Sequence, residues 1–319
     1  MQIPTFADSF IKDPSDDSET IQLSQLVRFF DSPAKSFLVN HLGMTLWDED
    51  GPPADAEPLT LGSLEKFGLK NRLLTIELHH QKAEDLYDLA RAEGSLPPGN
   101  LGKVWFNETN REIKDFINRW GTSIEGEKEP PIEVDLLVDG VPLQGCLDGL
   151  INKRQVLYRC GKTRPKDRLS AWIRHLIICA DGNIDLLETA FFGLDKANKF
   201  VRFEPLPTEK AMDYLKTILS IYQTGKTRPL PFFPATSLAY QTEIAKAADS
   251  ETEESIGQAL SKARNEWLPS DFSHGGRKES ELPENRICFP QAPLDQPEFD
   301  ELARSVLGPL LHYQTEGRP

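Results

Sequence analysis

The chain has 319 residues, 39% of them hydrophobic, and a formal net charge of −14 at pH 7. This composition fits a protein with a substantial apolar core, whereas a free-standing DNA-binding protein would usually be basic. No apolar run approaches the roughly 20 residues of a membrane span, and the opening MQIPTFADSF has neither the basic nor the apolar region of a signal peptide. The four cysteines form no CxxC pair, so we expect reduced, buried thiols in a cytoplasmic protein.

The first part of the chain is predicted to be helical, over residues 21–129, after a loose lead-in over residues 1–20. Ser24 can cap a first helix, and Ser32 followed by Pro33 can start a second one. Longer helical stretches are predicted over 61–93 and 104–120. The side chains expected to face the core are Leu64, Phe67, Leu74, Leu78, Leu86, Leu89, Trp105, Ile113, Phe116, Ile117 and Trp120.

After Pro130 the hydrophobic pattern changes from helical to alternating. The stretches IEVDLLVDG, VPLQGCLDGLI and QVLYRCGK predict three short strands with a hairpin turn at Asp139-Gly140. An amphipathic helix over 168–180 and two further strands, within 183–193 and 200–206, complete the pattern. We therefore assign residues 130–235 to a mixed α/β core in which a helix crosses a small mixed sheet.

The C-terminal part, residues 236–319, is predicted to be helical again. Helices are expected over 236–248, 253–267 and 298–313. Residues 268–297 are rich in Pro, Ser, Gly and charged side chains, which is typical of a long exposed loop.

The second and third predicted strands resemble the frame of a metal-dependent nuclease site. Such a site needs at least two oxygen ligands for Mg²⁺ and a positive group near the scissile phosphate. An acid that ends one strand and an acid-x-Lys on the next supply them, because residues i and i+2 share a strand face. Asp148 fits the first position beside Cys146, but Tyr158 and Cys160 occupy the other two. We expect Asp148 to be a buried structural carboxylate, and we expect no catalytic residue, metal or cofactor.

Positive charge is concentrated in one segment, from Lys153 to Arg174. It contains eight cations against the single acid Asp167, a net charge of +7, so the rest of the chain carries −21. Such a segment is either a solvated basic face or a contact for phosphates or an acidic partner. Its position next to the degenerate strand favours a DNA contact. The residues predicted to bind DNA are Lys153, Arg154, Arg159, Lys162, Arg164, Lys166 and Arg168.

Several stretches of the chain resemble the C-terminal domain of the RecC family, the gamma subunits of exodeoxyribonuclease V, the bacterial RecBCD helicase–nuclease. They occur in the family's order and cover most of residues 21–311. They are SQLVRFFDSPAKSFLVNHLGM, EPLTLGSLEKFGLKNRLL, GSLPPGNLG, LDGLINKRQVLYRCGKTRPKDRLSAWIRHLIICA, PLPFFPATSLAY and FDELARSVLGPLL. The sequence of residues 250–295 departs from the family pattern.

The resemblance implies a degenerate core of the PD-(D/E)XK restriction-endonuclease type, similar to the nuclease domain of RecB. In that active relative a His, an Asp and an Asp-x-Lys form the site. Asp148 corresponds to the first Asp, Tyr158 and Cys160 stand in place of Asp and Lys, and Phe106 stands roughly in place of the His. The resemblance therefore implies that the nuclease fold is kept and that the nuclease activity is lost.

The resemblance also implies the partners: the RecB and RecD subunits, and double-stranded DNA that is split at a fork during double-strand-break repair and homologous recombination. A pure docking role for RecB and RecD is the alternative, because the acidic remainder suits basic protein neighbours. An active nuclease is the third reading, and it would need a relocated metal site with Glu108 or Glu112.

Overall fold

The computed structural model describes residues 20–46, 63–78, 83–124, 126–182, 184, 188–195, 200–247, 251–269 and 277–317. The helices are α1 (Leu23–Asp31), α2 (Pro33–Ser36, continued by a wider π-type turn over Phe37–His41), α3 (Ser63–Leu78), α4 (Ala83–Ala92), α5 (Asn100–Ile124), α6 (Pro165–Ala180), α7 (Thr208–Thr227), α8 (Pro234–Ala247), α9 (Glu253–Trp267), α10 (Pro283–Cys288) and α11 (Pro297–Tyr313). The strands are β1 (Ile21–Gln22), β2 (Ile132–Val138), β3 (Val141–Leu147), β4 (Leu150–Ile151), β5 (Arg154–Tyr158), β6 (Glu188–Phe192), β7 (Phe200–Phe203) and β8 (Gln314–Gly317).

The strands form two sheets, with the orders β1-β3-β2 and β4-β5-β6-β7-β8. β2 and β3 are an antiparallel hairpin, as are β4 and β5. β5 and β6 pair in parallel, with Val156 opposite Ala190, because α6 crosses over between them. The predicted mixed α/β class is confirmed, although the small sheet is divided in two at the link between β3 and β4.

The five-stranded sheet is packed between helices on both faces. On one face, Trp120 of α5 contacts Phe192 and Phe200, with ring centroids 5.2 and 5.6 Å apart, and its indole nitrogen donates to the Gly193 carbonyl at 3.0 Å. On the other face, Trp172 of α6 lies 5.3 Å from Phe203. Both tryptophans are fully buried. Burial of aromatic side chains of this size is a main source of stability, so these two contacts fix the sheet between α5 and α6.

The hairpin turn at Asp139-Gly140 is located where the sequence predicted it, and a second turn lies at Asn152-Lys153. Asp139, Asn152 and Lys153 have φ values of 52°, 52° and 59°, the left-handed region that two-residue hairpins need. Asn and Asp reach this region at lower cost than most residues with a side chain. The two turns therefore set the register of β2 with β3 and of β4 with β5.

The N-terminal helices differ from the prediction in their division and in their exposed faces. The stretch predicted as helical over 61–93 contains two helices, α3 and α4, and residues 79–82 lie outside the described part. Phe67 and Leu89, predicted to face the core, are 37% and 49% exposed. Trp105 and Ile117 are half-buried rather than buried, and the side chain of Leu64 lies outside the described residues.

Part of the predicted exposed loop over 268–297 is ordered helical structure packed on the rest of the chain. A short 3₁₀ turn (Glu279–Glu281) and α10 lie within it, and residues 270–276 are outside the described part. The Glu279 carboxylate accepts hydrogen bonds from the backbone N–H groups of Ala235 and Thr236, at 3.0 and 2.8 Å, and so caps α8. Ser32 donates to Glu284 at 3.1 Å. Composition could not reveal these contacts, because their partners lie far apart in sequence.

No helix among the described residues is both long and apolar enough to cross a membrane. The four cysteines are free, but they are not uniformly buried as predicted. Cys160 and Cys288 are buried, Cys179 is half-buried and Cys146 is exposed.

Candidate functional site

Asp148 lies at a kink between β3 and β4 that depends on the glycine after it. Gly149 has a φ of 70°, and a Cβ there would lie 2.6 Å from the Val156 carbonyl oxygen, so only glycine fits. The Val156 N–H donates to the Gly149 carbonyl at 2.7 Å, and the Gln155 side-chain amide donates to the Asp148 carbonyl at 3.2 Å. The backbone of Asp148 is thus fixed while its carboxylate is exposed. The expectation of a buried carboxylate beside a packed Cys146 thiol was wrong, because the kink ends the strand before Asp148.

Tyr158 interacts electrostatically with both Asp148 and Cys160, and neither the phenol nor the thiol carries a charge at neutral pH. Burial raises the pKa of the Tyr158 phenol, and the negative charge of Asp148 raises it further. Burial raises the pKa of the Cys160 thiol to about 12 although Lys70 opposes the shift. β5 ends at Tyr158, so Cys160 lies in the loop beyond it, with 2% of its surface exposed. A neutral phenol and a neutral thiol are poor Mg²⁺ ligands.

The charges nearest Cys160 come from α3 and α5 and neutralise each other. Lys70 forms an ion pair with Glu112, and Lys66 lies 3.8 Å from the same carboxylate. Glu112, one of the two acids considered for a relocated metal site, is therefore held by two lysines. Across the described part of the chain, no three His, Cys, Asp or Glu side chains approach closely enough to hold a metal ion.

Phe106 lies apart from these three positions. Its ring packs on Tyr87 of α4 with centroids 5.2 Å apart, and it is buried. It precedes Glu112 by six residues, about 9 Å along α5 at 1.5 Å per residue. The α5 residues that reach the strand ends are instead Glu112 and Phe116, whose ring is 6.4 Å from that of Tyr158. Tyr158 thus interacts with both Asp148 and Cys160, while Phe106 packs on α4 within the core cluster that also contains Cys160.

The loop between β5 and α6, residues 159–164, is fastened to the end of β6. The Arg159 N–H donates to the Phe192 carbonyl at 3.0 Å, and the Leu194 N–H donates to the Gly161 carbonyl at 2.7 Å. Thr163 donates to the Asp195 carboxylate through both its backbone N–H, at 3.2 Å, and its hydroxyl. A loop with this many backbone contacts holds its exposed side chains in a defined position.

The basic segment from Lys153 to Arg174 is divided between separate places on the surface. Lys153 and Arg154 lie at the start of β5, where Arg154 pairs with Glu188 at 2.5 Å. Arg159 pairs with Asp167 at 3.3 Å, and only 13% of its side chain is exposed. Arg174 lines a cavity of about 660 Å³ on the small sheet, together with Glu133 and Cys146. The segment is therefore not one continuous basic face.

Four further cations lie after the end of β5, where α6 begins. They are Lys162, Arg164, Lys166 and Arg168, and we call them the loop cluster. Lys162 and Arg164 are exposed, whereas Lys166 and Arg168 are half-buried on the first turn of α6. The Asp167 carboxylate accepts from the Arg164 N–H at 2.8 Å and so caps α6. The positive end of a helix dipole adds to the field of these four cations.

The sequence did not indicate two residues of this surface, Phe67 and Lys70. The guanidinium of Arg159 lies 5.2 Å from the centroid of the Phe67 ring, and Lys70 reaches Cys160 from the same helix. Both were obscured because helical periodicity placed Phe67 in the core and gave Lys70 no distinguishing feature. The signal that could have found them was the mixture of cations and aromatic residues in SLEKFGLK.

The fold and the site define a helix-flanked mixed α/β domain with cations grouped beside the ends of two parallel strands. The family model of the RecC C-terminal domain matches residues 18–245. The chain therefore belongs to the RecC C-terminal domain family.

Its relatives include three proteins described as RecBCD enzyme subunit RecC. The one from Escherichia coli (strain K12) is 28% identical over 78% of this chain and 22% of its own length. The one from Haemophilus influenzae is 30% identical over 50% of this chain and 15% of its own length. The one from Mycobacterium tuberculosis (strain CDC 1551 / Oshkosh) is 27% identical over 71% of this chain and 21% of its own length. The chain thus spans about a fifth of the length of the RecC proteins from E. coli and M. tuberculosis.

Proposed function

We propose that this chain is a non-catalytic, nuclease-like domain of a RecBCD enzyme, acting in DNA repair and recombination, and that its loop cluster contacts the DNA backbone. The observation that carries the proposal is a group of cations beside the same strand ends at which Tyr158 and Cys160 stand without charge. Cations placed this way position a phosphate backbone without reading its sequence. RecB and RecD are the proposed protein partners, and forked double-stranded DNA is the proposed ligand.

The arrangement of the core supports a degenerate PD-(D/E)XK origin. The β2–β3 hairpin ends one residue before Asp148, β5 pairs with β4 in the second sheet, and α6 crosses to the parallel strand β6. The place for an acid-x-Lys pair is occupied by Tyr158 and Cys160, which carry no charge. The nearby ion pair between Lys70 and Glu112 would have to be broken before Glu112 could serve a metal. Such a surface would bind the DNA backbone without cleaving its phosphodiester bonds.

Docking of protein subunits is the second candidate function. The charge outside the basic segment is −21, which suits basic protein surfaces and repels DNA. Under this reading the loop cluster would meet an acidic patch on a partner subunit. Binding of forked DNA by the full chain separates the two readings, because docking alone predicts none.

The lost chemistry can be tested by restoring the two missing side chains. We expect Tyr158→Asp combined with Cys160→Lys to produce no Mg²⁺- or Mn²⁺-dependent cleavage, because a metal requires further oxygen ligands that the described residues do not gather. The measurement is the digestion of labelled duplex and single-stranded DNA. Asp148→Ala in the same background is the control, because it separates true activity from a contaminating nuclease. Cleavage by the double variant that disappears with Asp148→Ala would contradict the account.

A further inference from the structure

We propose that Phe67 and Tyr158, two exposed rings beside Arg159, form a platform on which an unpaired DNA strand stacks its bases. We call these three residues the aromatic platform. The inference rests on the proposed function, since it names the form of DNA that this surface would hold. It assigns a binding role to Phe67, and it gives Tyr158 a purpose other than filling a lost metal site.

Phe67 lies on α3, Tyr158 is the last residue of β5, and Arg159 follows in the loop, where its guanidinium packs over the Phe67 ring. Phe67 is 37% exposed and Tyr158 is 36% exposed, and both are among the large apolar or aromatic side chains that the fold leaves open to solvent. Arg159 directly follows Tyr158, and its guanidinium carbon lies 5.2 Å from the centroid of the Phe67 ring. The Asp167 carboxylate holds the same guanidinium at 3.3 Å. Arg159 thereby ties the exposed ring on α3 to the strand that carries the exposed ring of Tyr158.

A purely structural role accounts poorly for the two exposed rings. The inward positions of α3 are filled by Leu69, Leu73 and Leu74, which are at most 5% exposed. Phe67, seven residues before Leu74, lies at the edge of that stripe, and the fold leaves part of its apolar ring in water. Tyr158 is supported from beneath by the buried Phe116, with ring centroids 6.4 Å apart. A ring backed by a buried ring is held in place and still presents a surface.

The surroundings fit an unpaired nucleotide strand better than a duplex. Bases within a duplex are stacked on each other, whereas each base of a single strand offers a free face to an aromatic ring. Arg159, held by Asp167 and packed over Phe67, fixes the position of that ring by a cation–π contact. Lys162 and Arg164, three and five residues after Arg159, are exposed and can follow the phosphates of that strand. The proposed occupant is therefore a single-stranded segment of DNA, bound without sequence preference.

The test compares a short oligothymidylate with an abasic strand of the same length and charge. The full chain is expected to bind the base-bearing strand roughly tenfold more tightly, because stacking is lost with the bases. Phe67→Leu and Tyr158→Leu, which change no charge, are each expected to remove most of this preference, and Tyr158→Phe is expected to retain it. Leu137→Ala is the matched control, because Leu137 is an exposed side chain of β2, 65% exposed. Unfolding temperatures measured on every variant show that each is folded.

Each outcome decides a different part of the account. Equal binding of the two strands by the unaltered chain overturns the platform and leaves the loop cluster as a backbone contact. A preference that persists in both leucine variants also overturns it. The absence of binding to either strand overturns the proposed DNA contact together with the platform. Unchanged DNA binding combined with weaker assembly with a RecB or RecD subunit would assign Phe67 and Tyr158 to a protein interface instead.

Discussion

Charge reversal of the loop cluster is expected to weaken the binding of forked DNA by roughly a hundredfold at low salt. The residues to be replaced by glutamate are Lys162, Arg164, Lys166 and Arg168. Each cation that neutralises a phosphate contributes about 0.9 to the slope of log K against log salt, so four contacts contribute about 3.6. The difference in affinity between the variant and the unaltered chain is expected to decrease as the salt concentration increases, because salt screens the attraction between the cations and the phosphates. The measurement is a titration of fluorescently labelled forked DNA with the full chain, and with the assembled RecBCD enzyme, at several salt concentrations.

The matched control carries the same change of charge elsewhere on the surface. Four exposed lysines on other helices serve this purpose: Lys35, Lys210, Lys246 and Lys262. Their reversal to glutamate makes the molecule equally more acidic but leaves the loop cluster intact. If both variants lose affinity to the same extent, the effect is one of total charge and the local contact is refuted. If neither loses affinity, the phosphate contact is refuted and docking becomes the better account.

The second large effect expected is a pH dependence of stability that originates at His175. Its side chain is fully buried, and its ring nitrogens lie 3.1 Å from the Thr189 hydroxyl and 2.9 Å from the Glu204 carbonyl oxygen. Burial lowers the pKa of His175 from 6.5 to about 4, so the folded protein holds it neutral. Below pH 6.5, His175 binds a proton in the unfolded chain but stays neutral in the folded protein until the pH approaches 4. The stabilisation is therefore complete above pH 6.5 and is lost as the pH falls towards 4.

We expect His175 to account for a loss of about 3 kcal/mol in the free energy of unfolding between pH 7 and 4, since one pKa unit corresponds to about 1.4 kcal/mol. His175→Gln is the test, because glutamine keeps the hydrogen-bonding capacity and does not titrate. Its stability, measured by urea unfolding, should fall less steeply over this pH range. His312→Gln, a change at an exposed histidine, should leave the original dependence. Parallel curves for the unaltered chain and His175→Gln would show that another group dominates.

The structure confirms the parts of the fold that depend on local signals. Hydrophobic period, the Ser32 cap and the turn at Asp139-Gly140 predicted most helices and the strands of the α/β core, whereas Ser24, the first predicted cap, lies inside α1. β1 and β8 were missed because strands of two and four residues are stabilised by distant partners, Leu143 and Gln144 of β3 for the first and β7 for the second. The ordered structure of segment 277–288 was missed for the same reason, because the N–H groups that donate to the Glu279 carboxylate lie on α8.

The candidate site was predicted in its residues but not in its geometry. The spacing of Asp148, Tyr158 and Cys160 was sufficient to propose a nuclease-type frame without its charges. It could not show that a kink at Gly149 exposes Asp148, or that Cys160 lies beyond the end of β5. The division of the basic segment was equally hidden, because a strand of five residues separates Arg154 from the loop cluster by about 16 Å. Domain boundaries and the role of each cation remain predictions.

Contact between the loop cluster and the backbone of DNA is tested by the salt dependence of binding. The measurement is the affinity of the full 319-residue chain for a forked DNA from low to physiological salt. We expect binding at low salt, with log K falling against log salt at a slope of about −3.6 or steeper. The four cations of the loop cluster would contribute about −3.6 of that slope. No binding at low salt, or binding that does not change with salt, would contradict the account and favour a domain that only docks protein subunits.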